Sequence, residues 1–128
     1  PNIIAKYGLP ERSVAFAVGL SALPDSDIVR PLRVGTMPAA VQDVALIVDS
    51  SVSAQDVESA LRSGAGELLE SIALFDRYDK IGDGKISLAF TLTFRASDRT
   101  LTGAEVSQMR ESAVVAAAKA TGAVLRTN

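Results

Sequence analysis

Lys85 to Arg95, KISLAFTLTFR, alternates without a break. Ile86, Leu88, Phe90, Leu92 and Phe94 fall on one side of an extended backbone, and Ser87, Ala89, Thr91 and Thr93 fall on the other. That period of two is the signature of a strand with one buried face. The opposite face is small and polar, with no Lys, Glu or large aromatic among those four positions, so a flat group could lie against it.

Working outward, the flanking stretches supply partners for this strand. Val44 to Val48 is a short apolar, β-branched run suited to a central strand. Ser53-Ala-Gln-Asp56 then opens a helix in the manner of a capping box, with Val52 and Val57 as its hydrophobic staple. Val57, Ala60, Leu61, Ala65 and Leu68 keep helical spacing until Gly64 and Gly66 loosen the end. Ser71 to Tyr78 reads as a strand, Gly82-Asp83-Gly84 as a turn, and the two strands around it as a hairpin. Thr102-Gly-Ala-Glu105 is a fuller capping box, stapled by Leu101 and Val106. The helix it opens presents Val106, Met109, Ala113, Ala116 and Ala120 and stops at Gly122, before a last short strand, Ala123 to Arg126. The order over residues 43 to 126 is βαββαβ. Two right-handed crossovers joined by a hairpin predict an α+β ferredoxin-like sandwich, a four-stranded antiparallel sheet in the order 4-1-3-2 with both helices on one face. Function would then sit on the open face, although the fold alone selects none.

Upstream the signals differ. Residue 1 is Pro rather than Met, and the chain reads as a piece of something longer. Pro1 to Tyr7 predicts a short helix ended by Gly8. Ser13 to Leu20 alternates like a strand and is expected either to pair in a non-native way or to cover apolar surface. Pro24, Pro31, Gly35 and Pro38 mark an extended linker. The predicted division is therefore 1–23, the tail of a preceding module; 24–39, a linker; and 40–128, the ferredoxin-like domain.

Composition narrows the chemistry. The 128 residues include no Cys and no His, which removes disulfides, thiolate metal sites, the commonest general base and the commonest transition-metal ligand. No apolar run reaches the roughly 18 residues of a membrane span. A cytoplasmic, membrane-free setting is the expectation. Thirteen basic against 15 acidic residues leave a net charge of −2, whereas nonspecific nucleic-acid binders are usually basic. Residues 1–39 hold four bases and three acids, so the remainder holds nine and 12. Any RNA binding must be local and directed. Asp79 to Phe90 resembles half of a calcium loop but has Ile81 at the third position and Phe90 where a bidentate Glu is needed. Gly64-Ala-Gly66 and Gly82-Asp-Gly84 are too short for a phosphate cradle. Asp76 and Asp79 lack any accompanying nucleophile or His, and no catalytic or metal site emerges. An RNA recognition motif would need stacking aromatics on the two central strands, and Asp43, Ala45, Ile47, Ser87, Ala89, Thr91 and Thr93 include none.

Four blocks nevertheless carry a specific resemblance: PAAVQDVALIVD, GELLESIALFDRY, KISLAFTLTFR followed by RTLT, and AVLR. In order and spacing they resemble the ferredoxin-fold anticodon-binding module at the C-terminus of the bacterial phenylalanine-tRNA ligase β subunit. Departures are small, such as the compact Asp79 to Gly84 turn, where the family often has a longer Pro/Gly-containing loop. The resemblance implies recognition of the anticodon stem-loop of the phenylalanine tRNA. It implies a parent (αβ)2 class II synthetase whose α subunit joins phenylalanine to tRNA with ATP and Mg²⁺, and a domain that is itself noncatalytic and holds no cofactor. Carried over by motif, the RNA-facing positions are Ala45 in D-x-A, Asp76 and Tyr78 in F-D-x-Y, Ser87 in S-L-A-F and Arg126 in the terminal L-R. With Phe75 pointing to the core, strand parity is expected to put all five in one row on the open face. Ile72 and Leu74 share the parity of Asp76, so the row requires a bulge or a covering segment. A ferredoxin-like regulatory or small-ligand domain is the alternative that residue patterns alone leave standing.

Overall fold

The computed structural model describes residues 2–23 and 35–126. The chain divides into two compact units, Pro1–Arg33 and Val34–Asn128. In the first, α1 (Asn2–Tyr7) is followed by an irregular segment and a single 3-10 turn at Leu20–Ala22. The strand expected over Ser13 to Leu20 does not form. Val14 and Phe16 are 96% and 92% exposed, so within its own unit the segment neither pairs nor covers apolar surface. Alternation supplies one face of a strand but not its hydrogen-bonding neighbour, and this unit contains no described strand to pair with. Most of the proline-rich linker, residues 24–34, lies outside the described residues.

The second unit runs β1 (Ala40–Asp49), α2 (Ala54–Ala65), β2 (Leu69–Gly82), β3 (Lys85–Phe94), α3 (Gly103–Thr121) and β4 (Val124–Leu125). The sheet order is β2-β3-β1-β4 with every neighbour antiparallel, the predicted ferredoxin-like topology. The strands run longer than the apolar runs suggest: β1 pairs with β3 over ten residues, from Ala40 opposite Phe94 to Asp49 opposite Lys85. β3 is central and paired on both edges. Its five apolar residues join Val44, Leu46 and Val48 of β1 in one core. Both helices cover that face, α2 through Val57, Ala60, Leu61 and Ala65, and α3 through Val106, Ala113 and Ala117. Each fully buried Leu or Phe contributes about 1.5–3 kcal/mol. Ala120, expected on the buried stripe of α3, is exposed, and Ala117 takes its place.

The caps follow the sequence. Ser53 accepts from the Asp56 N–H at 3.1 Å. At α3 the capping box is complete: the Glu105 N–H donates to the Thr102 hydroxyl at 3.3 Å, and the Thr102 N–H donates to the Glu105 carboxylate at 2.9 Å. Arg99 adds a two-pronged pair to the same carboxylate at 2.6 and 3.0 Å. Gly122 ends α3 in the left-handed region at φ 69°. The β2–β3 hairpin closes through Asp83 at φ 52° and Gly84 at φ 68°, the paired positive φ values of a tight hairpin turn.

Gly64 does not loosen the end of α2; it lies inside the helix, at the crossing with α3. A Cβ there would stand 2.5 Å from Ala116 Cβ and 2.6 Å from the Ser112 carbonyl oxygen. The obstacle is partly backbone, so the helices would have to separate. Gly64→Ala gains about 1 kcal/mol of helix propensity and meets overpacking worth about 1–3 kcal/mol. We expect net destabilisation of up to about 2 kcal/mol in urea unfolding; a stabilised variant would show that the helices part freely.

Glu105 carries a pH signature. The Arg99 guanidinium, then the N–H and hydroxyl of Thr102, hold its carboxyl down at about 2, against an ordinary value of 4.5. A depressed folded pKa gives stability that is complete above the unfolded value and is lost as pH falls through the folded one. The stability gap between the native chain and Glu105→Gln should be constant above pH 4.5 and should shrink between 4.5 and about 2. Urea unfolding at descending pH measures it, and a gap independent of pH across that interval would contradict the cap assignment.

Candidate nucleic-acid interface

The face of the sheet away from the helices is read from the register, because directly paired residues point to the same side. On β1 and β3 it comprises Asp43, Ala45, Ile47 and Asp49 with Thr91, Ala89, Ser87 and Lys85. On β2 the strand switches faces midway. Leu74 pairs with Phe90, on the core side, while Asp76 pairs with Ala89, on the open side, and the register shifts between them. Phe75 is the extra residue. It is exposed, a bulge residue and not the core residue that alternation predicted. Without the bulge, a strand with Ile72 and Leu74 inward would also turn Asp76 and Tyr78 inward. With it, Ile72 stays against the core and Asp76 and Tyr78 face outward.

The five positions singled out from the sequence fall in two adjacent rows, not one. Tyr78 stands opposite Ser87, which pairs with Ile47, which pairs with Val124. Asp76 stands opposite Ala89, which pairs with Ala45. The Arg126 N–H donates to the Ala45 carbonyl at 2.8 Å, which carries that second row on to Arg126. Directly opposed Cβ atoms are about 4.5–5.5 Å apart, so all five share one compact patch.

Tyr78 is 47% exposed, Asp76 and Arg126 are exposed and Ala45 is half-buried. Ser87 is only 4% exposed. A short side chain in a central strand is shielded by larger neighbours on both sides, here Tyr78 and Ile47. The centre of the patch is thus a floor of Ser87 and Ala89 between raised flanks. Further along the same face, the Thr91 hydroxyl donates to Asp43 at 2.7 Å, which holds that carboxylate down onto β3. Arg95 is drawn aside, its Nε donating to both Glu70 oxygens at 3.1 Å and its Nη1 to the Met37 carbonyl. Arg77, on the other side of β2, pairs with Asp79 at 2.8 Å.

Residue-level reasoning left Val124 and Lys85 aside. Val124 is 61% exposed and extends the Tyr78 row with apolar surface; the parity that put Leu125 inward was signal enough to find it. Lys85 and Asp49 form the next row beyond Tyr78 and Ser87. Among the described residues, no three His, Cys, Asp or Glu gather to hold a metal ion, and no helix is long and apolar enough to cross a membrane. The patch offers one aromatic ring, hydrogen-bonding groups beside it, a small-residue floor and a cation at the edge. It can stack, hydrogen-bond and charge-pair a flat polar ligand.

Comparison with known proteins bears directly on that ligand. The ferredoxin-fold anticodon binding domain family matches residues 35–126, which spans the whole described sheet and both its helices. The chain is similar to the phenylalanine–tRNA ligase beta subunit of Streptomyces avermitilis, 52% identical over 99% of the chain and 16% of that protein. It is also similar to those of Thermobifida fusca, 50% identical over 98% and 16%, and Nocardia farcinica, 53% identical over 98% and 15%. It spans about a sixth of the length of these relatives. With the topology, the capped helices and the match all covering the same residues, the chain belongs to the ferredoxin-fold anticodon binding domain family.

Proposed function

We propose that the open sheet face binds the anticodon stem-loop of the phenylalanine tRNA, and that the chain serves as the tRNA-gripping part of a phenylalanine-tRNA ligase β subunit. In that parent, an (αβ)2 assembly acting in the cytoplasm, the α subunit would attach phenylalanine to tRNA with ATP and Mg²⁺. This domain binds and does not catalyse. The residues before 24 belong to the preceding module and residues 24–39 to a linker. The observation that supports the reading best is the bulge at Phe75, which puts Asp76 and Tyr78 on the same face as Ala45, Ser87 and Arg126.

Each side chain has a role that its chemistry allows. The Tyr78 ring stacks one unpaired base of the loop, and that base's edge then lies over Ser87 and beside Asp76. Asp76 accepts a hydrogen bond from a ring or exocyclic N–H, while the Ser87 hydroxyl can donate or accept. Ala45 leaves room for the next base where any larger side chain would lift it. Arg126 pairs with phosphate or with a base edge.

Stacking on an aromatic is worth about 1–3 kcal/mol. Tyr78→Ala should therefore weaken binding of an RNA hairpin carrying the phenylalanine anticodon loop by about tenfold or more, with the urea unfolding midpoint unchanged, because the ring lies outside the helix-facing core. A hairpin with a scrambled loop should bind the native chain as weakly as the variant binds the cognate one. If Tyr78→Ala instead melts the domain and spares the affinity of the folded fraction, the ring is structural and the reading fails. Saturable binding of a small metabolite with indifference to RNA would favour a regulatory domain.

Arg126→Ala tests the charged edge. Its effect should be largest at low salt and shrink as salt rises, since a phosphate contact draws on counterion release. An effect independent of salt would place Arg126 on a base edge.

A further inference from the structure

We propose that Lys85 is a phosphate-binding residue for the same RNA loop, taking the backbone one nucleotide beyond the base stacked on Tyr78; this rests on the stem-loop reading above. Lys85 precedes Ser87 by two residues on β3, so the two share the open face about 6.6 Å apart along the strand. It pairs with Asp49 in the row next to Tyr78, Ser87, Ile47 and Val124. Arg126 lies in the row on the opposite side, two strands away. The Tyr78 row is thus flanked by a cation on each side, while Arg95, just beyond the end of β3, is held by Glu70 and the Met37 carbonyl.

Lys85 lies near enough to the Asp49 carboxylate for its charge to be felt there but forms no ion pair with it, which leaves the ammonium able to meet an anion. The Asp49 carboxylate opposite it accepts from the Ser51 N–H at 2.9 Å and from the Ser51 hydroxyl at 2.6 Å. Among the described residues four ion pairs form, and Lys85 is in none of them. Between Ile47, Asp49, Lys85, Gly122 and Val124 the surface sinks into a hollow of 310 Å³. Ile47 and Val124 give its near side an apolar ledge continuous with the Tyr78 row. A ribose riding on that ledge turns its phosphate toward the Lys85 ammonium. Aromatic stacking combined with lysine or arginine along the backbone is how single strands are generally held, and here Lys85 supplies the charge on the side of Tyr78 away from Arg126.

The test uses the full 128-residue chain and an RNA hairpin carrying the phenylalanine anticodon loop, with each loop phosphate replaced in turn by a neutral methylphosphonate. For the native chain, one replacement next to the stacked base should weaken binding by about three- to tenfold; in Lys85→Gln the same replacement should cost nothing further. Lys85→Gln should also lower the slope of log affinity against log salt by about 0.7, the value for one phosphate on a single strand, and leave the preference for the cognate over the scrambled loop intact. If Lys85→Gln matches the native chain in affinity and slope while Tyr78→Ala still loses binding, the inference is overturned and the stem-loop reading stands. If the native chain does not distinguish the cognate hairpin from the scrambled one, both fall together.

Discussion

The constraint on which the rest depends is that β3 is hydrogen-bonded along both edges while only one of its faces is apolar. Five large side chains must go to one side, and both helices must cover that side, since nothing else in the unit can bury Phe90 and Phe94. The other side is then left with Ser87, Ala89, Thr91 and Thr93, which are too small to form a second core. That asymmetry makes the open face a surface and at the same time limits what it can hold. With β1 registered against β3 over ten residues, a slip of one residue would move Val44, Leu46 and Val48 into solvent, a cost of several kcal/mol by ordinary burial energetics. The register that places Ala45 and Ile47 is therefore enforced by the core beneath them.

Nearly all of this frame was legible in the residues. The alternation of β3, the two capping boxes with their staples, Gly122 as a helix stop and the Gly82-Asp83-Gly84 turn each have a local physical cause, and local causes survive in a sequence without its partners. What failed had a cause that lies elsewhere in the chain. Ser13 to Leu20 alternates but has no described neighbour, and a strand is a property of a pair. Gly64 looked like a helix terminator because the close approach of Ala116 and the Ser112 carbonyl comes from a helix that begins about forty residues later. Phe75 read as core because a bulge breaks parity without any mark of its own; the only warning was the conflict between Leu74 inward and Asp76 outward. In the candidate site, the shared face of Tyr78 and Ser87 could be argued from the turn, but the split into two rows and the burial of Ser87 depend on register and on neighbours' bulk.

On the proposed reading, the electrostatics of the face explain how a chain of net charge −2 would give a polyanion a foothold. Asp43 is tied down by Thr91, and Asp49 by Ser51, whose hydroxyl and N–H hold its carboxyl below the ordinary range. Each of these carboxylates is directed at a protein donor. Asp76 remains beside Tyr78, where a negative carboxylate favours a base edge that presents N–H groups and opposes phosphate. A few cations at the margins and an acid beside the ring would discriminate between the base and backbone sides of a nucleotide, in contrast to a uniformly basic groove.

The placement of the ring sets a limit on affinity. In an RNA recognition motif the aromatics stand on the central strands and stack two or three bases; here the centre is Ser87 and Ala89, and the Tyr78 ring stands on the edge strand β2. One stack is worth about 1–3 kcal/mol, and two marginal phosphate contacts are weakened by salt. On the proposed reading such a patch holds an RNA loop only weakly by itself. On that reading it would contribute as one attachment among others, where the second binding step becomes intramolecular and a weak contact gains from effective concentration. A weak patch then serves specificity better than a strong one would: a tRNA with the wrong loop loses the stack and the hydrogen bonds at Asp76 and Ser87, and has little generic attraction to the face to replace them.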